Sequence, residues 1–245
     1  MANWSDPRPN AATLAAGASV RGSAYDAGLR SYMLSVYNYM TSAILLTGIV
    51  ALGFAASGAA AQVFVGGGVL KWIITLAPLG FVFGMSFLQG RMSMPTLQAM
   101  FWGFAISMGL SLSTIFLVYS DVAIAQAFFA TAAGFAGLSL WGYTTKKDLS
   151  AFGTFLIMGV VGLIVASVIN LFMQSGPLAL LISIVGLLLF AGLTAYDTQR
   201  TKSMYAAVAG TENEGRTVIM SALTLYLDFI NMFLFILRLF GSSRN

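Results

Sequence analysis

The chain has 245 residues, 58% hydrophobic and only 8% charged, with a mean hydropathy of +0.86; a soluble domain carries about 25% charged residues, so lipid is the natural solvent for most of this sequence. It contains no Cys and no His, which excludes disulfides, Cys nucleophiles, imidazole bases and the usual ligands of zinc and haem, and no cofactor is expected. The net charge of +4 is spread over short segments between apolar runs, with no basic helix or interleaved aromatic surface, which suits loops facing anionic lipid and argues against nucleic acid.

In chain order, residues 1–35 read as a flexible cytosolic tail, small and polar with Pro7 and Pro9, turning helical near Ala24. The stretch Ala11 to Ala18 is too weakly apolar for the core of a cleavable signal. Residues 36–245 form a transmembrane domain of seven apolar runs of roughly 20 residues, the length that spans a hydrocarbon core. The runs lie near 37–56, 70–89, 98–119, 122–143, 152–173, 178–196 and 218–240. Short separators carry turn chemistry: Ser57-Gly58, Gly66-Gly67-Gly68, Gly90-Arg91 with Pro95, Lys146-Lys147-Asp148 and Ser175-Gly176-Pro177. Such connections predict an all-α antiparallel helical bundle. Gly80 and Gly84 make a small-xxx-small pair, and Gly134, Gly137, Gly159 and Gly162 add smooth faces, read first as packing within the bundle.

Basic residues set the expected orientation. With the N-terminus in the cytosol, that side holds Arg8, Arg21, Arg30, Arg91, Lys146, Lys147, Arg200, Lys202 and Arg216, against Lys71, Arg238 and Arg244 on the other. Seven full crossings put the C-terminus outside; a last run that fails to span returns it inside. The tail without an obvious signal fits a bacterial inner membrane.

Few ionisable groups fall within the runs. Asp228 lies about eleven residues into the last run, roughly 16 Å deep at 1.5 Å per residue. An Asp near the bilayer centre costs about 2.5–3.5 kcal/mol, which demands a partner, a water-filled cavity or a function. Asp197 closes the sixth run, and alone it reads equally well as a wetted surface pair with Arg200. The sixth and seventh helices are consecutive and antiparallel, so the two acids meet if the sixth helix runs on past the interface. Two carboxylates in one dry site cannot both ionise cheaply and tend to share a proton. Arg91, at the end of the second run, reads either as an interfacial anchor or as a cation latching Asp197. Arg238 reads as an anchor first and a pore-mouth charge second. Asn231, three residues after Asp228, could bond the acid or line a polar path. Asn170 and Gln174 share a face of the fifth helix and cap its outer end.

The run Leu225-Tyr-Leu-Asp-Phe-Ile-Asn-Met-Phe233, followed by Leu237-Arg238, closely resembles the last-helix signature of the Bax inhibitor-1 family, which includes the bacterial YccA-like proteins. Tyr196-Asp197 matches the family's other acid position, and Lys147-Asp148-Leu149-Ser150 its fourth-to-fifth loop. The resemblance covers Tyr37 to the C-terminus. It implies a seven-helix bundle with a central last helix and a pH-sensitive calcium leak, with Asp197 and Asp228 as the sensor and Arg91 as the latch. It also implies that relatives suppress cell death, lower stored calcium or bind a membrane protease. Some members carry an acid in the second helix opposite the last-helix arginine; here there is none between Lys71 and Arg91.

The leading expectation is therefore a non-enzymatic cation leak channel passing calcium and sensing protons, with Asp197 and Asp228 as transient calcium ligands. A second is a non-conducting regulatory membrane protein that binds a membrane protease or another membrane partner through its tail. A secondary transporter would show internal repeats, and none is evident. An intramembrane protease would need a loop motif that is missing.

Overall fold

A computed structural model describes residues 11–242, with side chains from Ser23 onward. Residues 1–10, the first part of the expected flexible tail, lie outside the described residues, as do Arg8, the side chain of Arg21, and Arg244. The described chain is helical throughout: α1 Ala11–Ala56, α2 Ala59–Val65, α3 Val69–Leu88, α4 Met94–Leu112, α5 Ile115–Val118, α6 Asp121–Thr144, α7 Ser150–Met173, α8 Gly176–Val208 and α9 Glu214–Phe240. Seven stretches are long and apolar enough to cross a membrane: Ser23–Ala56, Val69–Leu88, Met94–Val118, Asp121–Thr144, Ser150–Met173, Gly176–Val208 and Glu214–Phe240.

Local chemistry sets the helix ends. Ser93, Ser120 and Ser175 cap α4, α6 and α8 by accepting the N–H of Thr96, Ala123 and Leu178. Proline follows in the first turn of α4 and α8, where its missing N–H costs nothing. The α2–α3 turn needs Gly67 and Gly68, whose φ of 78° and 100° disfavour any side chain.

The first span starts earlier than composition suggests. Leu29, Tyr32, Met33, Val36 and Met40 are buried at helical spacing, so residues 29–35 belong to the packed bundle rather than to a tail. The sixth span likewise runs on to Val208, twelve residues beyond the end of its apolar run at Tyr196.

The last helix is the centre of the molecule. Of its most apolar window 72% is buried, against 39% or less for every other span. It packs against α8, α1, α6 and α4; α3 lies outside α4, and α7 outside α8. These outer helices turn Phe83, Phe87, Phe155 and Phe172 outward, as lipid-facing helices do. Between α1 and α6 runs an apolar groove, about 700 Å³ in one half and about 420 Å³ in the other, floored by Phe229 of α9. Arg91, Lys146, Lys147, Arg200, Lys202 and Arg216 all cluster at the α3–α4, α6–α7 and α8–α9 end of the bundle. At the opposite end, Ser242 accepts the N–H of Ser120 at 3.2 Å, so α9 crosses the full bundle and the chain leaves it away from the basic residues.

Candidate functional site

The α8–α9 hairpin places the two acids. Asp197 lies eleven residues before the end of α8 and Asp228 fourteen after the start of α9, about 17 Å and 21 Å up the two arms of the hairpin. The continuation of α8 past its apolar run is what brings them level. Both are buried, with 7% and 3% of their surface exposed. Their carboxyl groups face each other within hydrogen-bonding reach. Among the described residues, no N–H or hydroxyl donor reaches Asp228 Oδ2. A buried carboxyl oxygen that meets no donor, on a side chain beside a second buried carboxyl group, calls for a proton on the pair.

Side chains around the pair hold α8 in register. Thr194 Oγ1, which donates to the Phe190 carbonyl at 2.8 Å, lies 3.3 Å from the Met232 sulfur of α9, and Thr198 Oγ1 donates to Ser139 Oγ on α6 at 3.2 Å. A Cβ at Gly142 of α6 would run into the Ala195 carbonyl, so these two helices touch backbone to backbone beside Asp197. On another face of α9, the Tyr226 hydroxyl meets Thr47 Oγ1 at 2.8 Å, and Thr47 donates to the Ala105 carbonyl at 2.9 Å, joining α9, α1 and α4. The Tyr32 hydroxyl of α1 faces Ser221 of α9 without closing a hydrogen bond.

The other sequence-based candidates fall elsewhere. Arg91 is exposed in the turn after α3, and the cation acting on Asp197 is Arg200, one helical turn further along α8. The latch expected of Arg91 on Asp197 is thus not formed in this structure. A residue that ends an apolar run can point to lipid headgroups as easily as inward. Arg216, read only as a topology marker, instead donates through Nη1 to the Gln89 carbonyl and ties the start of α9 to the end of α3. Asn231 Nδ2 donates to the Leu227 carbonyl of its own helix at 2.8 Å, which leaves the acid pair without it. Arg238 is exposed, 5.8 Å over the Phe235 ring, as an interfacial anchor. Asn170 accepts the Ser175 N–H, the capping role expected of it.

The donor set limits the chemistry. Resident calcium takes six to eight oxygens, whereas no group of three or more Asp, Glu, His or Cys side chains suits a metal among the described residues. Two carboxyl groups suit a proton or a passing cation better than a bound one.

Fold and site together define a polytopic helical membrane protein built around a central helix with a buried acid pair. A family model for the inhibitor of apoptosis-promoting Bax1 matches residues 29–245, and the chain belongs to the Bax inhibitor-1 family. It is 45% identical over 224 residues to protein RP147 of Rickettsia prowazekii, covering 90% of this chain and 93% of that one. It is 41% identical over 220 residues to the inner membrane protein YbhL of Escherichia coli, covering 89% and 94% respectively. A Caulobacter vibrioides protein is 42% identical over 230 residues, covering 89% and 91%.

Proposed function

We propose that the protein is a pH-sensitive cation leak channel that passes calcium, gated by the Asp197–Asp228 pair. The observation that carries this reading is the burial of two facing carboxyl groups across the interface between α8 and the central helix. Two acids in the interior of a membrane protein are costly unless they serve a path or a switch. With one shared proton the pair keeps a single negative charge, which holds Arg200 and keeps the hairpin packed on α6. As pH falls the pair takes a second proton, loses that charge and releases Arg200, which shifts the population towards an open arrangement. The same proton removes oxygen ligands from the cation path, so flux peaks at an intermediate pH. Basic residues at one end favour that end, with the N-terminus, in the cytosol of a bacterial inner membrane. Asp228→Asn in liposome calcium flux tests the reading: loss of the pH response supports it, and wild-type flux with a wild-type pH response refutes it.

A second reading has its own observation. From Ser23 to Ala27 the side chains of α1 are exposed, with Tyr25 resting on the Tyr205 ring of α8 at 5.2 Å, a handle for a membrane protease or another membrane partner. Purified protein that never conducts, yet loses partner binding when residues 1–27 are removed, would favour it.

A further inference from the structure

The loop between α6 and α7 is held in place from outside. Gln199 of α8 uses both ends of its amide: Oε1 accepts the Leu149 N–H at 2.9 Å, and Nε2 donates to the Lys147 carbonyl at 2.8 Å. The pinned loop and α8 enclose a polar hollow of about 350 Å³. Lys146, Lys147 and Arg200 line it, together with Asp148, Ser150 and Ser203. Asp148 is already committed, because its Oδ1 accepts the Ser150 N–H at 2.9 Å. The hydrogen bonds from Ser150 hold its carboxyl below the usual carboxylate range, so it stays ionised. Three cations against one carboxylate leave the hollow with two uncompensated positive charges. Among the described residues, neither lysine nor Arg200 is in ion-pair contact with a carboxylate, and Arg200 acts on the buried Asp197 only at longer range.

Like-charged side chains repel, and a fixed loop that gathers them around hydroxyl groups has the chemistry of an anion site. We propose that this hollow binds a phosphate group, carried by an anionic lipid headgroup or free in solution, and that the bound phosphate competes with Asp197 for Arg200. The position suits the headgroup source, since the hollow lies at the basic end of the bundle, where α8 leaves its apolar run. The link to Asp197 rests on the acid-pair reading above; the binding itself does not.

The test is calorimetric titration of the full-length protein in neutral detergent with inorganic phosphate, short-chain phosphatidylglycerol and short-chain phosphatidylcholine. The proposal expects saturable binding of phosphate, of phosphatidylglycerol or of both, weaker binding of the zwitterionic lipid, and at least a tenfold loss in Lys146→Gln/Lys147→Gln and in Arg200→Gln. The two lysines are exposed and touch neither acid, so the double lysine variant should keep the wild-type melting temperature. Saturation by phosphate alone identifies a soluble anion as the ligand; saturation by phosphatidylglycerol alone identifies a lipid. No saturable binding, or equal binding by the variants, overturns the site. Asp197→Asn should tighten binding severalfold, because linkage is reciprocal. An unchanged affinity overturns the competition for Arg200, whatever the flux assay shows.

Discussion

Asp228 is costly where it stands, and its neighbours explain how the helix tolerates it. Tyr226, two residues earlier, spends its hydroxyl on Thr47 rather than on the acid. The central helix therefore carries two separate polar arrangements, one that fastens α1 and α4 and one that faces α8. Only the first should matter to stability alone. Thr47→Val strands the Tyr226 hydroxyl and should cost about 1–2 kcal/mol, measured as a lower melting temperature. Adding Tyr226→Phe should recover part of that loss, since both partners are then gone. At this scale the sequence was partly legible. The two acids stand out against an apolar background that leaves few alternatives. The wrong partner for Asp197 came from treating Arg91 as inward-facing; charge at the end of an apolar run marks the interface, but not the direction of the side chain. Arg200, three residues from Asp197, was legible as its neighbour, but only as a partner at the wetted surface and not for a buried acid.

The α8–α9 hairpin makes the site. Hydropathy ends the sixth run at Tyr196, because Asp197, Thr198, Gln199 and Arg200 follow it. The helix nevertheless runs on to Val208 and stops at Gly210, whose φ is 69°. A reading based on apolar length sees where lipid ends, not where a helix ends. The close approach that seats the hairpin was equally hidden. The glycines singled out by spacing include Gly80, Gly137 and Gly162, where an added Cβ meets nothing within 4 Å, whereas Gly142 lies against the Ala195 backbone. Gly142→Val should therefore push α6 from α8 and destabilise the protein by about 1–3 kcal/mol. Gly137→Val should leave the melting temperature unchanged. Equal effects from the two would show that the contact beside Asp197 is not a tight one.

As a whole, the molecule is a helical bundle around one helix that is itself nearly buried; the bundle was legible from seven apolar runs with short connections, the central place of the last helix only from the family resemblance. The basic residues at one end and the Ser120–Ser242 contact at the other imply that the two ends of α9 lie on opposite sides of the membrane. The chain has no native cysteine, so single cysteines report cleanly. Lys146→Cys should react with an impermeant maleimide only after the cytosolic side is opened, and Ser242→Cys in intact spheroplasts. Labelling of both from one side would contradict the topology.

The central claim is that the two aspartates hold one proton between them and that this shared state controls conduction. Calcium flux through purified protein in liposomes, titrated with pH for the wild type, Asp197→Asn, Asp228→Asn and the double variant, tests it most directly. A shared proton predicts that either single substitution removes the pH response as fully as both together. Single variants that each retain a pH response, with the loss adding up only in the double, would contradict it.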